Sequence, residues 1–129
     1  MKIFAKTLAL ALISALVSNP VAAHHSHAMF DHDSEVQLSG TVSDFRFANP
    51  HGYIYIEVTS AEGNAELWAV ELSNMTNMLA RGINRNTYQA GDRVSLTVYP
   101  LRNGVPGGSI IANQSIFRDG LETWEPQAD

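Results

Sequence analysis

The sequence predicts an all-β protein, a small closed barrel carrying one short helix. Three observations predict it. Apolar residues alternate with period two along most of the chain, turn residues break that pattern at short intervals, and the one stretch with helical spacing falls between the third and fourth strand candidates.

The elements follow in order. From Glu35 onward, Val36, Leu38, Gly40 and Val42 alternate with Gln37, Ser39, Thr41 and Ser43, which makes strand one. The phase then slips to Phe45 and Phe47, so a bulge is expected near Ser43 and Asp44, and Gly40 lets the strand coil tightly. "NPHG" at 49–52 is a turn by composition. "YIYIEVTS" is strand two, with Ile54, Ile56 and Val58 on one face and Tyr53 and Tyr55 on the other. "AEGN" at 61–64 turns the chain into strand three, "AELWAVELS", where Trp68 is expected in the core. Ser73 or Asn74 caps a helix through "MTNMLARG", with Met75, Met78 and Leu79 on one face and Gly82 at the exit. "QAGDRVSLTVYP" feeds strand four with Val94, Leu96 and Val98 inward, "GVPGG" at 104–108 turns again, and "SIIANQSIFRDG" reads as strand five.

A long first strand, five strands in all, and a helix between strands three and four is the order of an OB-like Greek-key barrel. A β-sandwich, the alternative, normally needs about seven strands. The expected division is a signal peptide over 1–23, a His-rich tail over 24–33, the barrel over 34–120 and a C-terminal tail over 121–129.

The signal reading rests on Lys2 and Lys6, the short apolar run Leu8 to Val17, and the small residues Val21-Ala22-Ala23 before the expected cut. That run is too short to span a bilayer, which takes about 20 residues. A periplasmic or secreted protein beginning at His24 is therefore expected, with no membrane insertion once the signal is gone. Without the signal the chain keeps six arginines, no lysine and thirteen Asp and Glu, so its formal charge moves from −5 to −7. Such a balance argues against nucleic acid, whose phosphates need clustered cations. The missing lysine excludes Schiff-base chemistry, and the absence of cysteine excludes a thiolate nucleophile and disulfides.

"NPVAAHHSHAMFDHD" at 19–33 holds four of the five histidines. An α-amine and an imidazole both lose their protons near neutral pH, so His24 at a mature N-terminus could chelate one ion through both. A second imidazole would complete the T-shaped copper site of histidine-brace proteins. Nitrogen-rich sites of this kind suit copper and zinc. His25, His27 and His32 are the candidate partners and Asp31 a candidate oxygen donor, while Phe30 is expected to dock on the barrel and hold the tail near it. The competing reading is a solvated tail that binds metals adventitiously.

His51 is read either as a turn residue or as part of a ligand face with Tyr53, Tyr55 and Glu71, since the loop joining strands one and two borders the binding face of OB-type barrels. Up to ~45–50 Å of strand separates His32 from His51 at about 3.3 Å per residue, which counts against a shared site unless the tail doubles back.

"AHHSHAMFD" at 23–31, "NPH" at 49–51, "WAVE" at 68–71, "LARG" at 79–82 and "AGDRV" at 90–94 occur in this order in a group of small exported bacterial proteins. The chain resembles that group, which is catalogued only as a domain of unknown function. "INRNTY" at 83–88 departs from its pattern, where a more basic stretch is expected. The resemblance implies an exported single-domain β-barrel and no activity. The leading expectation is a non-enzymatic binding protein for a divalent transition metal, copper or zinc, held by the N-terminal histidines. The alternative is a metal-independent module binding a small ligand or protein partner through the strand one–two loop and the strand two tyrosines. A brace-type copper oxidase is third.

Overall fold

The computed structural model describes residues 27–124, so the expected signal segment, His24 and His25 lie outside the described residues. The strands are β1 (Val36–Arg46), β2 (Tyr53–Thr59), β3 (Ala65–Glu71), β4 (Arg93–Pro100), β5 (Gly107–Ile110), β6 (Ile116–Arg118) and β7 (Leu121–Trp124), with helix α1 (Met75–Ala80) between β3 and β4. The strand order β1-β2-β3-β5-β4 closes on itself because β4 also pairs with β1. The β3–β5 pairing is parallel and the other pairings are antiparallel. This is the small OB-like barrel expected from the sequence, with the helix where it was placed.

β1 is long because it serves two partners. Val36 to Thr41 pairs with β4, Gly40 to Arg46 pairs with β2, and the register slips between Val42 and Asp44 where the phase change requires a bulge. Period-two alternation sends Leu38 and Val42 from β1, Ile54 and Ile56 from β2, Val70 from β3, and Val94, Leu96 and Val98 from β4 into the barrel, each at most 4% exposed.

α1 closes one end. The Asn74 side chain accepts the Asn77 N–H at 2.9 Å as its N-cap, and Met78 enters the core fully buried. Leu79, expected on the same face, is 55% exposed, because six residues make too few turns to bury both neighbours. Gly82 leaves the helix at φ +77°.

Two expectations change at the C-terminal end. The fifth strand is split: β5 pairs with the last residues of β4, the chain turns through 111–115, and β6 returns to the first residues of β4. Leu121–Trp124, expected as the start of a tail, instead forms β7 across an Asp119-Gly120 turn with φ of 50° and 82°. Trp124 at 1% exposure is then the buried tryptophan, while Trp68 is only partly buried against the core and hydrogen-bonds Glu66 at 3.3 Å.

Phe30 docks as expected. It is 3% exposed and bridges Leu101, with the Asp31 N–H donating to the Pro100 carbonyl at 2.8 Å and the Arg102 N–H to the Met29 carbonyl at 2.9 Å.

Candidate functional site

The site begins with the backbone that carries His51. Asn49 accepts the Met75 N–H on its side-chain oxygen at 3.1 Å, which ties the β1–β2 loop to the start of α1. The Gly52 N–H donates to the Ser73 carbonyl at 3.0 Å, and the Gly52 carbonyl accepts from the Leu72 N–H at 2.8 Å. A Cβ on Gly52 would lie 2.7 Å from the Met78 methyl carbon, so glycine is what lets the loop close over the helix. His51 is thus mounted on a fixed strut between the barrel end and α1.

The side chains follow from register. Tyr53 faces Glu71 and Tyr55 faces Ala69 across β2–β3, while their neighbours Ile54 and Val70 point into the barrel fully buried. Tyr53, Tyr55 and Glu71 therefore lie on the outer wall, as the alternation predicts. Glu71 is 8% exposed, and both its oxygens are used. Oε2 accepts the Tyr53 hydroxyl at 2.7 Å, and Oε1 lies 2.5 Å from Nδ1 of His51. The rings of Tyr53 and Tyr55 are 6.4 Å apart, and the Arg46 guanidinium sits 4.9 Å above the Tyr55 ring.

The bond to Glu71 fixes the chemistry of His51. A carboxylate only accepts, so Nδ1 carries the proton, and the lone pair of the neutral ring sits on Nε2. No hydrogen bond is made to Nε2 among the described residues, and 34% of the side chain reaches solvent. The carboxylate thus holds an imidazole with one nitrogen available to a ligand.

Tyr53 ionises late. Partial burial, then the hydrogen bond to Glu71 and the charge of Glu71, push its hydroxyl up to about 12 from an ordinary 10.0. A raised value favours the neutral phenol in the folded chain, so its contribution to stability is intact below pH 10 and is lost as pH rises towards 12. Burial pushes Tyr88 up to about 12 as well, against the opposing pull of its hydrogen bond with Thr123 at 2.9 Å. Ultraviolet titration should therefore show two late-ionising phenols, reduced to one in Tyr53→Phe. A late step of unchanged size in Tyr53→Phe contradicts the raised value of Tyr53.

The N-terminal histidines occupy another part of the surface. The ring centroids of His27 and His32 are 6.4 Å apart, and the His32 ring packs edge-on to Tyr99 at 4.7 Å. Nε2 of His32 lies 3.2 Å from the His27 carbonyl, which only accepts, so the free lone pair of His32 is on Nδ1. Asp31 is engaged otherwise. Its carboxylate accepts from Ser34 Oγ at 2.8 Å and from the Asp33 N–H at 3.4 Å, and lies 3.5 Å from Arg102. The Ser34 bond is the main cause holding its carboxyl below the usual range. Among the described residues no three His, Asp or Glu side chains converge to hold an ion unaided.

The reach objection from the sequence is answered by closure of the barrel. Tyr53 faces Glu71, Glu71 faces Ser109, and Ser109 faces Tyr99, so these residues form one row across β2, β3, β5 and β4. At about 4.8 Å per strand, Tyr99 beneath His32 is roughly 10 Å from Glu71. Sequence reasoning missed Tyr99 and Arg46, although alternation in "RVSLTVYP" sets Tyr99 opposite in face to Val98. A separate cleft of about 710 Å³ is lined by Ser39, Thr41, Glu57, Arg93 and Phe117, and none of the predicted site residues borders it.

Residues 11–110 match a family model. The chain belongs to DUF6152, a family of unknown function. The DUF6152 match ends with β5, the strand that completes the closed barrel, and it includes all five histidines together with Tyr53 and Glu71. A comparison with curated proteins and one with solved structures found no match.

Proposed function

We propose that the chain is an exported binding protein that holds a divalent transition metal, copper first and zinc second, through the imidazoles of its N-terminal segment. The observation that carries this reading is the pairing of His27 and His32. A metal–imidazole bond of about 2.0–2.1 Å puts each ring centroid roughly 3.2 Å from the ion, so two rings on one ion lie within about 6.5 Å of each other. The observed 6.4 Å stands at that limit, so both rings turn a nitrogen toward the ion in a linear pair, or close by about 1 Å for a tetrahedral one. Phe30 and its backbone bonds hold this segment on the barrel and the His32 ring packs on Tyr99, which lowers the entropy lost when an ion is captured. His24 and His25 supply further nitrogens in the same segment, and export before residue 24 would add an α-amine.

Calorimetric titration with copper(II) tests this on the chain beginning at His24. The variant His24→Ala, His25→Ala, His27→Ala should bind at least about 100-fold more weakly than the parent. Equal affinity overturns the reading.

One observation favours a second reading. His51, Tyr53, Tyr55 and Glu71 share the outer wall with Arg46 above the Tyr55 ring, an arrangement that would suit a planar organic ligand donating a hydrogen bond to His51. Equal copper affinity in the triple variant would promote that module.

A further inference from the structure

We infer that the concave outer wall of the barrel over β1, β2, β4 and β6 binds a neutral oligosaccharide, with Phe117 stacking on a sugar ring and Thr41, Glu57 and Arg93 meeting its hydroxyls. No histidine lines this cleft, so the inference stands independently of the metal reading.

Register sets the lining. β1 passes from β4 to β2 around Gly40, and there the three strands run side by side. Thr41 pairs with Glu57 on one side and with Arg93 on the other. The Arg93 backbone is tied to Asp119, its N–H donating to Oδ1 at 3.3 Å and its carbonyl accepting the Asp119 N–H at 2.8 Å. One step along, Ser39 pairs with Ser95, and Ser95 with Phe117. Their chain neighbours Leu38, Val42, Ile56, Val94, Leu96 and Ile116 are buried in the core, so alternation turns the lining residues outward. The wall crosses four strands, roughly 14 Å at about 4.8 Å per step. Its cleft of about 710 Å³ is of the size that holds a small organic molecule.

Three properties select the ligand. The first is the mixture of hydrogen-bonding groups: Glu57 only accepts, Arg93 only donates, and the serine and threonine hydroxyls do both. A sugar hydroxyl donates and accepts at once, so it needs both kinds of partner, whereas a phosphate or carboxylate needs donors alone. These groups are also uncommitted. Among the described residues the side chains of Ser39, Thr41, Glu57, Arg93 and Ser95 make no hydrogen bond or ion pair, while Arg46–Asp44, Arg102–Asp31 and His51–Glu71 are paired.

The second property is charge. Glu57 and Asp119 against Arg93 leave the cleft at a formal −1, which disfavours an anion. Arg93 stands between the two carboxylates in the cross-strand row, which disfavours a cation. The third is Phe117, 40% exposed, on which no other ring packs among the described residues. The negative face of its ring attracts the slightly positive C–H bonds on the flat side of a sugar. It is the one aromatic side chain lining the cleft, so an apolar ligand would bury little beside it.

Amide NMR titration of the chain beginning at His24 tests this. Maltotriose, cellotriose and acetylated chitotriose serve as neutral probes and trigalacturonate as an acidic one, each added to about 10 mM. At least one neutral probe should shift the amides of Thr41, Arg93 and Phe117 saturably and leave those of His51 and Tyr53 in place. Phe117→Ala should weaken that binding by about 10-fold, while Phe117→Tyr keeps the stacking face and should bind as the parent does. Arg93→Met, which removes the donors, should also weaken it by about 10-fold. The amide spectrum of each variant establishes that it is folded. Cleft amides unmoved by every neutral probe, equal affinity in both Phe117→Ala and Arg93→Met, or trigalacturonate binding more tightly than the neutral probes would each overturn the inference, and none of them bears on the metal reading.

Discussion

Phe30→Ala should destabilise the protein by about 3 kcal/mol, the lower end of the range for deleting a buried aromatic ring. The ring is 3% exposed, yet it sits at the edge of the barrel beside Leu101, where neighbours can partly collapse into the gap. The loss is large against a typical total of 5–15 kcal/mol. On the metal-binding proposal it also reaches binding, because Phe30 anchors the segment that carries His27 and His32 to the barrel wall. Freed of it, the two rings lose their fixed spacing, and copper affinity should fall along with the urea midpoint. Met29→Ala is the control. Its side chain is 50% exposed, so its removal should change stability by no more than about 0.5 kcal/mol. A Phe30→Ala loss below about 1 kcal/mol would contradict the docked arrangement.

Gly40→Ala should cost a similar amount, about 3 kcal/mol, for the opposite reason. Gly40 pairs with Val58 of β2 and Val94 of β4, at the point where β1 passes from one partner to the other. A Cβ there would lie 2.2 Å from the Glu57 carbonyl oxygen and 2.8 Å from the Ile56 methyl. The nearest obstacle is backbone, so no rotamer change relieves it, and β1 must move away from β2. Chemical denaturation should show a lower midpoint with an unchanged slope, the sign of altered stability without altered compactness. A change under about 1 kcal/mol would mean that β1 and β2 approach less closely at Gly40.

The barrel was legible because its strands obey a simple period. The slip from Val42 to Phe45 announced the bulge, and a single large ring in a polar tail announced the docking of Phe30. The C-terminal hairpin was missed although its signal is local: Asp119-Gly120 is a strong two-residue turn, hidden by the polar residues that follow Trp124. The split fifth strand was not local. It depends on β4 being long enough to take β5 at one end and β6 at the other.

The site divides the same way. Once Thr59 faces Ala65 across the 61–64 turn, stepping six residues back along each strand brings Tyr53 opposite Glu71. That pairing was available from counting residues. The bond from Glu71 to His51 was not, since it needs the loop folded over α1 and a bare Gly52 against Met78. Nor was the proximity of His32, which was measured along β1 when the shorter route crosses β4, β5 and β3.

The central claim is that imidazoles of the N-terminal segment hold a divalent transition metal. Anomalous diffraction from crystals of the copper-loaded chain beginning at His24 tests it most directly. The account predicts a single ion per chain with at least one N-terminal imidazole at about 2.0 Å. A loaded crystal with the ion bound away from every N-terminal imidazole would contradict it.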